Sequence, residues 1–407
     1  MIPVDQPHLK RGVGLALLTL YGVGVMVGAG IYVLVGEAAG LAGDWAPLAF
    51  LIAGLVAAPT AASYGELAAR IPEAGGEAAY LREAFGIPGL PQIAAVMICG
   101  GAIISAAAVL QGGVGYLQGL VDLPRAPLIV GIGLALGLAA YVGVLESLTL
   151  LAIFTVAEVA GLLFVAGAGL FGDPSGATDA EAAARQAAVE GVPLGGLAAA
   201  ALLAFFAFIG FEDMVNMAEE TNDPGRTVPR AIGIALAVTA GLYALVVFAA
   251  LRAVPAEALA ASDRPLALVV DRALGWGGGA LGAVAVFAAL NGVLAQIVMG
   301  SRMVYGASRD VPALRGLATV NARFRTPGRT TALVTAVVIG VSLAVPLLEL
   351  ATTSATILLV AFCGMNLALI ALKRRGPAPA GAFRAPGWVP WLGLVSALAA
   401  LAAPFLV

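Results

Sequence analysis

The sequence predicts an all-α integral membrane protein with about eleven transmembrane helices, of which the first and the sixth are interrupted at mid-membrane. Composition is the first reason: 61% of the 407 residues are hydrophobic and 11% are charged, against about 25% charged residues in a soluble globular chain. The second is that apolar runs of roughly 20 residues, enough to cross ~30 Å of hydrocarbon, recur along the whole chain. The third is that glycines cluster inside two of these runs.

Polar and Pro/Gly-rich stretches separate the apolar runs, and each run is interpreted as one span. The predicted spans cover residues 12–35, 43–69, 91–120, 126–145, 148–171, 194–218, 229–251, 278–301, 329–348, 351–372 and 387–407. Helices are favoured over strands because the runs are rich in Ala, Leu and Gly and lack the ~10-residue alternation of an outer-membrane barrel. The residues before the first span are polar and carry no small-residue cleavage site, so no signal peptide is expected.

The distribution of basic residues predicts which side of the membrane each loop faces. With the N-terminus in the cytoplasm, only five of the 21 Lys and Arg residues fall in external loops. These five are Arg125, Arg185, Arg252, Arg264 and Arg272. Because basic residues concentrate in cytoplasmic loops, this asymmetry supports both the orientation and the span count. We therefore expect a multi-pass protein of a bacterial cytoplasmic (inner) membrane, the bacterial assignment resting on the short loops.

Few residues are suited to metal or covalent chemistry. Cys99 and Cys363 both lie inside apolar runs and are interpreted as small core residues rather than as a disulfide. The single histidine, His8, lies in the polar N-terminus, so no metal site and no cofactor are expected. A membrane-embedded transferase would need a nucleophile, a base or a metal-ligand cluster, and a channel would need a continuous polar stripe. Both classes are disfavoured, and no nucleic-acid partner is expected.

The first predicted span contains four glycines, Gly22, Gly24, Gly28 and Gly30. Each costs a helix about 1 kcal/mol relative to Ala, so the cluster predicts that the helix opens at residues 28–30. An open stretch exposes backbone N–H groups at the positive end of a half-helix, and a carboxylate docked there would satisfy them. The alternative is close helix packing through the small-xxx-small spacing of Gly24 and Gly28.

The sixth predicted span contains Gly210 between aromatic residues, followed closely by two acids, Glu212 and Asp213. An acid within a membrane span is costly and marks a candidate functional position. The alternative is that the acids lie close enough to the cytoplasmic end of the span to be wetted. The glycine and the acids together make this span the second candidate for an interrupted helix.

The spacing of the two interrupted spans predicts an internal symmetry. They are the first members of two sets of five spans, and the sets run in opposite directions because five is odd. Corresponding broken helices in two such halves indicate inverted repeats with a site at mid-membrane. The expected divisions are a cytoplasmic N-terminus (1–11), a first five-helix repeat (12–171), an external loop (172–193), a second inverted repeat (194–372), and a basic cytoplasmic loop with the eleventh helix (373–407).

Five stretches of the chain carry a family resemblance. They are residues 28–31, 70–86, 206–212, 219–232 and 301–310. In this order they resemble the amino acid–polyamine–organocation (APC) superfamily of transporters, over about residues 10–375. The resemblance implies a leucine-transporter-like (LeuT-like) 5+5 inverted-repeat core and a bacterial amino acid permease that works by alternating access.

The resemblance also implies a substrate site at the two breaks. The α-carboxylate of an amino acid would meet the backbone amides around residues 28–31, and its ammonium would meet carbonyls near Met26 and in residues 206–210. The residues of this candidate site are Met26, Gly28, Ala29, Gly30, Ile31, Phe206, Ala207, Ile209 and Gly210. Phe206 occupies the place of an aromatic gate over the substrate, and Glu212 is a second gating candidate.

Glu158 is the only acid near the middle of any predicted span, and Thr155 lies one turn earlier on the same helix face. In proton-coupled members of the family, a Lys at about this place resembles a surrogate for a bound sodium ion, and the Glu here departs from that pattern. Glu158 is therefore a candidate proton carrier or cation ligand, with a protonated packing residue as the alternative. Sodium coupling is disfavoured because residues 285–299 of the eighth span contain no Ser or Thr.

The sequence leaves more than one candidate substrate and more than one candidate coupling mechanism. Family placement adds Ser105, Asn291 and Thr356 as candidate pocket-lining residues. Since no acid is firmly placed in the pocket to pair with a second ammonium, neutral or varied amino acids are favoured over a cationic amino acid or a polyamine. Proton-coupled uptake and exchange both fit, as do a monomer and a homodimer. The expected partners are an amino acid substrate, protons as coupling ion, and the lipid bilayer.

On the cytoplasmic side, the loop of residues 219–230 mixes acids with Arg. It is interpreted either as a source of gate pairs with Arg70 or Glu66, or as a solvated loop whose surface pairs contribute under about 1 kcal/mol each. The basic stretch 373–375 is interpreted as a topology anchor.

Overall fold

The computed structural model describes residues 12–73, 76–143, 148–172, 192–310, 316–321, 323–324 and 326–406. Within these ranges the named elements are helices, and one isolated parallel β-bridge joins Val13 to Thr221. The predicted all-α fold class is confirmed. His8, the predicted N-terminal segment 1–11 and residues 173–191 of the predicted external loop lie outside the described residues.

The helices follow the order of the predicted spans, with shorter helices between some of them. They are α1 (Leu15–Val27), α2 (Ala29–Ala42), α3 (Ala46–Arg70), α4 (Gly76–Phe85), α5 (Leu90–Gln118), α6 (Arg125–Val142), α7 (Leu148–Phe171), α8 (Leu194–Phe206), α9 (Pro224–Ala253), α10 (Ala256–Ala260), α11 (Pro265–Leu274), α12 (Gly278–Asp310), α13 (Gly328–Ala344), α14 (Leu347–Arg375) and α15 (Val389–Leu406). Two 3-10 segments, Gly43–Trp45 and Glu212–Glu220, follow α2 and the turn after α8.

Seven helical stretches of the described chain are long and apolar enough to cross a membrane. They are Gly30–Arg70, Leu90–Gln118, Arg125–Val142, Ala152–Phe171, Pro224–Ala253, Gly278–Gly306 and Leu347–Arg375. Shorter apolar helices are Leu15–Val27, Leu194–Phe206, Gly328–Ala344 and Val389–Ala403. Length and composition therefore describe a multi-pass membrane protein.

The first and sixth spans are both broken. Helices α1 and α8 each have 13 residues, which at 1.5 Å per residue is ~20 Å, short of the ~30 Å hydrocarbon core. The first span continues as α2 after a single non-helical residue, Gly28, and the sixth continues as a turn over residues 207–211. The two interruptions predicted from the glycines are therefore present.

Four predicted spans, 12–35, 229–251, 278–301 and 351–372, are clearly exceeded by their helices, the first because α2 continues to Ala42. Helix α9 begins five residues earlier, at Pro224, and α12 and α14 continue to Asp310 and Arg375. The predictions ended where hydropathy fell, but a helix satisfies its own backbone hydrogen bonds and continues past the apolar run into water. Hydropathy thus locates the membrane, and helix length depends on the chain beyond it.

The broken spans lie inside the bundle. Helix α1 packs against α7 and α9, and α8 packs against α2 and α3. Helix α5 packs along α12 and α14. At the end of α1 near the N-terminus, the backbone N–H groups of Gly12 and Val13 donate to the Glu220 carbonyl at 2.9 and 3.0 Å, and Asn222 N–H donates to the Val13 carbonyl at 2.9 Å. The entry to the first span and the exit from the sixth are thereby joined.

Candidate functional site

The break in the first span is made by Gly28. Its φ of −27° and ψ of −170° leave the helical region, and its N–H closes α1 by donating to the Gly24 carbonyl at 3.2 Å. Helix α2 starts at Ala29 with no side-chain cap, so the first-turn N–H groups of Ala29, Gly30 and Ile31 have no partner within the helix. This is an exposed, positively polarised helix end inside a membrane protein.

Both interpretations of the glycine cluster hold, at different glycines. A Cβ atom on Gly24 would collide with the side chain of Thr155 on α7, so Gly24 serves close packing. A Cβ atom on Gly28 would meet only the carbonyls of Val25 and Gly24 in its own helix, at 3.6 and 3.9 Å. No atom of another helix lies within 4 Å of that position, so Gly28 serves the break and not close packing between helices.

The break in the sixth span begins at Phe206, where α8 ends. The following residues bond three positions back instead of four, since the N–H groups of Ala207, Phe208 and Ile209 donate to carbonyls of residues 204–206 at 3.0–3.2 Å. Gly210 has a φ of +125°, a conformation that only glycine adopts readily. The α-helical ladder cannot continue through this turn.

The two breaks are in contact. A Cβ atom on Gly30 would lie 3.4 Å from the Ala207 Cα and 3.8 Å from Phe206 Cδ1. A Cβ atom on Gly210 would lie 3.2 Å from the Val25 carbonyl carbon. The structure thus brings together the backbone segments that the family resemblance assigned to the substrate head.

Glu212 reaches the break from the 3-10 segment that follows it. Its Oε2 accepts a hydrogen bond from the Gly210 N–H at 2.9 Å, and the residue is 4% exposed. The alternative that Glu212 is wetted does not fit this burial. Phe206, the other predicted gating residue, is 5% exposed and lies against the start of α2.

Tyr243 on α9 links the two breaks, and the sequence analysis missed it. Its hydroxyl points at the Met26 carbonyl at 2.6 Å and the Ala207 carbonyl at 3.0 Å. Its buried ring packs edge-on against Phe50 and Phe208, with ring centroids 5.8 and 5.3 Å away. The available signal was a tyrosine inside an apolar span, because a buried hydroxyl there requires a partner.

Glu158 lies on α7 and is 5% exposed. Its backbone carbonyl accepts a hydrogen bond from the Tyr32 hydroxyl at 3.0 Å, which ties α7 to α2 just beyond the break. Thr155, buried on the same helix, packs on Gly24 of α1. The two predicted coupling residues are thus placed beside the broken span, on the helix that packs against it.

The three predicted pocket-lining residues lie on α5, α12 and α14. The hydrogen bonds of two of them, Ser105 and Thr356, do not involve the breaks. The Ser105 hydroxyl on α5 is buried and accepts a hydrogen bond from Gln296 Nε2 at 3.0 Å. Thr356 on α14 is exposed, and its hydroxyl donates to the Thr352 carbonyl in its own helix at 2.7 Å. Asn291 is half-buried on α12. These three stay predictions from family placement, and a substrate-binding role for the break residues stays a prediction as well.

A buried carboxylate, that of Glu66, joins the end of α3 to the end of α14. Glu66 is fully buried at the end of α3, where Arg70 donates to its Oε1 at 2.8 Å and Lys373 Nζ lies 2.6 Å from its Oε2. The backbone N–H of Ala385 also donates to Oε2, at 2.8 Å. Arg70 and Glu66 are therefore committed to each other and to the segment after α14. Gate pairs with residues 219–230 stay a prediction. Lys373, interpreted from the sequence as a topology anchor, also binds the Glu66 carboxylate.

In the part of the chain that the structure describes, no group of three His, Cys, Asp or Glu side chains is placed to hold a metal ion. The polar groups at the two breaks are backbone amides and carbonyls, and they meet in a buried region of the protein. Such a place suits a small ligand that carries both a negative and a positive charge, because half-helix ends and free carbonyls complement both.

Comparison with known proteins agrees with this arrangement. Residues 14–407 match the family model described as amino acid permease. The branched-chain amino acid permease BcaP of Bacillus subtilis (strain 168) is 29% identical over 94% of this chain and 85% of its own length. An uncharacterized transporter of Mycobacterium tuberculosis is 34% identical over 83% of this chain and 74% of its own length. The vacuolar cationic amino acid transporter 4 of Arabidopsis thaliana is 30% identical over 81% of this chain and 58% of its own length.

The family match spans both broken helices and the scaffold around them, and the similar proteins are named as permeases or transporters. The APC resemblance found in the sequence is thereby confirmed. The chain belongs to the amino acid permease family, and it is a transporter of amino acids rather than an enzyme.

Proposed function

We propose that this chain carries neutral amino acids across the bacterial cytoplasmic membrane by alternating access, with its N-terminus in the cytoplasm. The observation that supports this most directly is the contact between the two breaks, where Gly30 of α2 lies against Ala207 and Phe206 of the sixth span. Binding energy placed at such a junction acts on two helices at once. A ligand there can therefore bias the angle between them.

The α-carboxylate binds at the start of α2. The N–H groups of Ala29, Gly30 and Ile31 form an uncapped helix end, and the non-helical Gly28 precedes it directly. An anion at a helix N-terminus gains about 0.3–1 kcal/mol at the surface and up to ~2 kcal/mol when partly buried. No basic side chain is needed within the membrane, which avoids the cost of burying one.

The ammonium binds at carbonyls of the same junction. The Met26 carbonyl already accepts a hydrogen bond from Tyr243, and a carbonyl oxygen has a second lone pair for a ligand. Phe206 and Ile209 supply the carbonyl groups of the sixth span at the point where its helical ladder ends. Tyr243 thus orients the carbonyls, and the substrate completes their hydrogen bonding.

Gating follows from the same residues. Phe206 lies at the meeting point of the breaks, so its ring is placed to cover a bound substrate. Glu212 holds the Gly210 N–H from the cytoplasmic side, so release of that hydrogen bond would loosen the turn. Both residues act where the sixth span bends.

The energy source in this proposal is a proton carried by Glu158, with exchange of amino acids as the alternative. Glu158 is buried on α7 beside α1 and α2, and a lone buried carboxylate favours its neutral, protonated form. Its place at the packing surface of the broken span gives protonation a route to the substrate site. A monomer and a homodimer both fit the proposal.

A cationic amino acid or polyamine is the second candidate substrate. Glu212 favours it, because its carboxylate touches the break at Gly210 and could pair with a second ammonium. The similar proteins include one named as a branched-chain amino acid permease and one named as a cationic amino acid transporter. Against it, Glu212 is already engaged with the Gly210 amide.

The test is counterflow in proteoliposomes that contain the purified chain. Vesicles are loaded with unlabelled L-leucine, L-alanine, L-arginine or putrescine, and entry of the labelled compound is measured. We expect saturable entry of leucine or alanine that internal leucine or alanine accelerates. Entry of arginine or putrescine alone would establish the second candidate instead, and no accelerated entry of any of the four would contradict the proposed transport.

A further inference from the structure

A second polar recess lies further along α2, beyond the breaks. It has about 340 Å³ of empty volume and is partly open to solvent. Its lining combines apolar and glycine surface with charged and amide side chains. The charged and amide members are Glu37, Gln111, Arg125 and Asp263. This volume includes space that is open to solvent, so a ligand in the recess would stay partly exposed.

The recess has a fixed cationic side. The side-chain amide of Gln111 donates to the backbone carbonyls of Ser342 and Val345 at 2.6 and 2.7 Å, which fixes its orientation. Its Oε1 therefore points outward and accepts a hydrogen bond from Arg125 Nη2 at 3.2 Å. A neutral amide thus positions the Arg125 guanidinium without neutralising its charge, and the guanidinium has further N–H donors in a planar fork that suits a carboxylate.

The recess also has an anionic side. Asp263 approaches Arg125 only at 3.9 Å, the outer limit of an ion pair, with the two side chains 78% and 43% exposed. Glu37 lies on α2 and lines the same recess. The two carboxylates therefore have capacity for a second cationic partner. One positive group and two negative groups around a small recess complement a zwitterion.

The recess adjoins the site at the breaks through α2. Glu37 lies eight residues from Ala29, the first residue of α2, which at 1.5 Å per residue is ~12 Å along the helix. Val33, which also lines the recess, lies one turn nearer to the breaks on the same face as Glu37. A ligand in the recess is therefore about two helical turns from the exposed amides.

We propose that this recess is a second amino-acid site, which captures the zwitterionic substrate at the external face before it moves to the breaks. Arg125 binds the α-carboxylate, and Glu37 with Asp263 binds the α-ammonium. The side chain of the substrate meets only glycine and apolar surface. The site therefore recognises the α-carboxylate and the α-ammonium and does not distinguish amino acids by their side chains. The proposal rests on the proposed transport of amino acids and on the predicted external position of Arg125 and Asp263.

The test compares uptake kinetics at the two faces of the membrane. Initial rates of labelled L-leucine uptake, with L-alanine and L-arginine in parallel, are measured in right-side-out and inside-out membrane vesicles. The variants are Arg125→Gln and Glu37→Gln, and Arg272→Gln is the matched control, an exposed arginine of α11 outside the recess. In right-side-out vesicles we expect KM to rise about tenfold for both recess variants, with the maximal rate within about twofold of wild type, since a lost charge pair weakens capture alone. In inside-out vesicles we expect no change in KM.

The inference is overturned if Arg125→Gln has the same KM as Arg272→Gln at the external face, or if KM rises equally at both faces. If Arg125→Gln does not reach the membrane, Glu37→Gln decides by the same comparison. Absence of wild-type uptake for all three amino acids contradicts the proposed function itself. Wild-type uptake with an unchanged external KM in the variants contradicts only the second site.

Discussion

Single residues decide how closely the two breaks approach each other. Gly210 has to be glycine for two reasons, its φ of +125° and the 3.2 Å that would separate a Cβ atom from the Val25 carbonyl carbon. Tyr243 then joins the two segments by directing one hydroxyl at two backbone carbonyls, those of Met26 and Ala207. The junction of the two breaks, the proposed substrate site, is thus shaped by a residue with no side chain and by one hydroxyl group.

Replacing Tyr243 by Phe isolates the contribution of that hydroxyl. The ring packing on Phe50 and Phe208 is kept, but two buried carbonyls lose their donor, which should cost about 1–3 kcal/mol of unfolding free energy. Because the carbonyls lie at the breaks, we also expect KM for uptake to rise about tenfold. Unfolding in mixed micelles and proteoliposome uptake measure the two effects.

Tyr116→Phe is the matched control for this change. Tyr116 is also buried, and its hydroxyl also donates to a backbone carbonyl of the first span, that of Tyr32 at 2.6 Å, about one helical turn beyond Gly28. It should lose a similar amount of stability and keep its affinity. An equal rise of KM in both variants would show that Tyr243 acts on general stability and not on the site.

Helix ends outside the membrane are held by charge. Glu66 at the end of α3 receives Arg70 from its own helix, Lys373 from the end of α14, and the Ala385 N–H from the segment before α15. Helix α4 is held differently, since the Tyr64 hydroxyl of α3 donates to Glu77 in its first turn at 3.2 Å. These contacts join the end of α3 to α4, to the end of α14 and to the segment before α15.

Removing Glu66 should be strongly destabilising. Glu66→Ala leaves the Arg70 and Lys373 side chains, 11% and 19% exposed, without their carboxylate, and breaking such a buried pair costs about 3–5 kcal/mol. Glu73→Ala is the control, because its pair with Arg82 is exposed and contributes at most about 1 kcal/mol. Unfolding free energies in mixed micelles that fell equally for both variants would contradict this role of Glu66.

Glu77 should make stability depend on pH. Burial raises the pKa of its carboxyl above the ordinary 4.5, and hydrogen bonds from its own backbone and from Tyr64 offset this only in part. An acid whose folded pKa is raised stabilises the fold most below its unfolded pKa, and this stability is lost as pH rises through the folded pKa. We therefore expect Glu77→Gln to be more stable than wild type at neutral pH, with the difference shrinking as pH falls towards about 4.

Melting curves in detergent across this pH range test the prediction. Glu73→Gln, a change of an exposed acid in the preceding loop, is the control and should follow the wild-type pH profile. A Glu77→Gln profile parallel to that of wild type would show that the carboxyl does not titrate with folding.

At the scale of the whole molecule, the helices beside the first break carry different tasks. Helix α9 brings Tyr243 to the breaks, and α7 brings Thr155 and Glu158 to the same broken span. On the other side of α2, Tyr116 of α5 donates to the Tyr32 carbonyl, and its hydroxyl accepts the Leu266 N–H of α11 at 3.3 Å. The first span is therefore in contact with α7, the helix proposed to carry the proton, and with α5, whose Tyr116 also contacts α11.

Glu158→Gln separates uphill transport from exchange in this assembly. A neutral amide cannot release a proton, so accumulation of leucine or alanine driven by an imposed pH gradient should be lost, while counterflow at equal pH should remain. Glu257→Gln, at an exposed acid of α10, is the control. Gradient-driven accumulation that is unchanged in Glu158→Gln would exclude Glu158 as the proton carrier.

Much of this molecule follows from the sequence. Hydropathy located the spans to within a few residues, and glycine content with the five-span offset identified the two breaks, because a helix in lipid can open only where backbone groups find other partners. The family motifs then identified the class of substrate. Gly28, Gly30 and Gly210 were predicted at the breaks because glycine interrupts a helical pattern, whereas Phe206 was predicted from the family resemblance alone.

Only the tertiary structure decided which distant groups meet. Nothing local to Tyr243 indicates that its hydroxyl reaches Met26 and Ala207, residues 217 and 36 positions away. The same holds for Lys373 on Glu66 and for Arg125 in the recess with Glu37. The physical reason is that hydrophobicity and helix-breaking residues are local properties of one span. Which polar groups meet inside the membrane depends instead on how the helices pack, and packing depends on the whole chain.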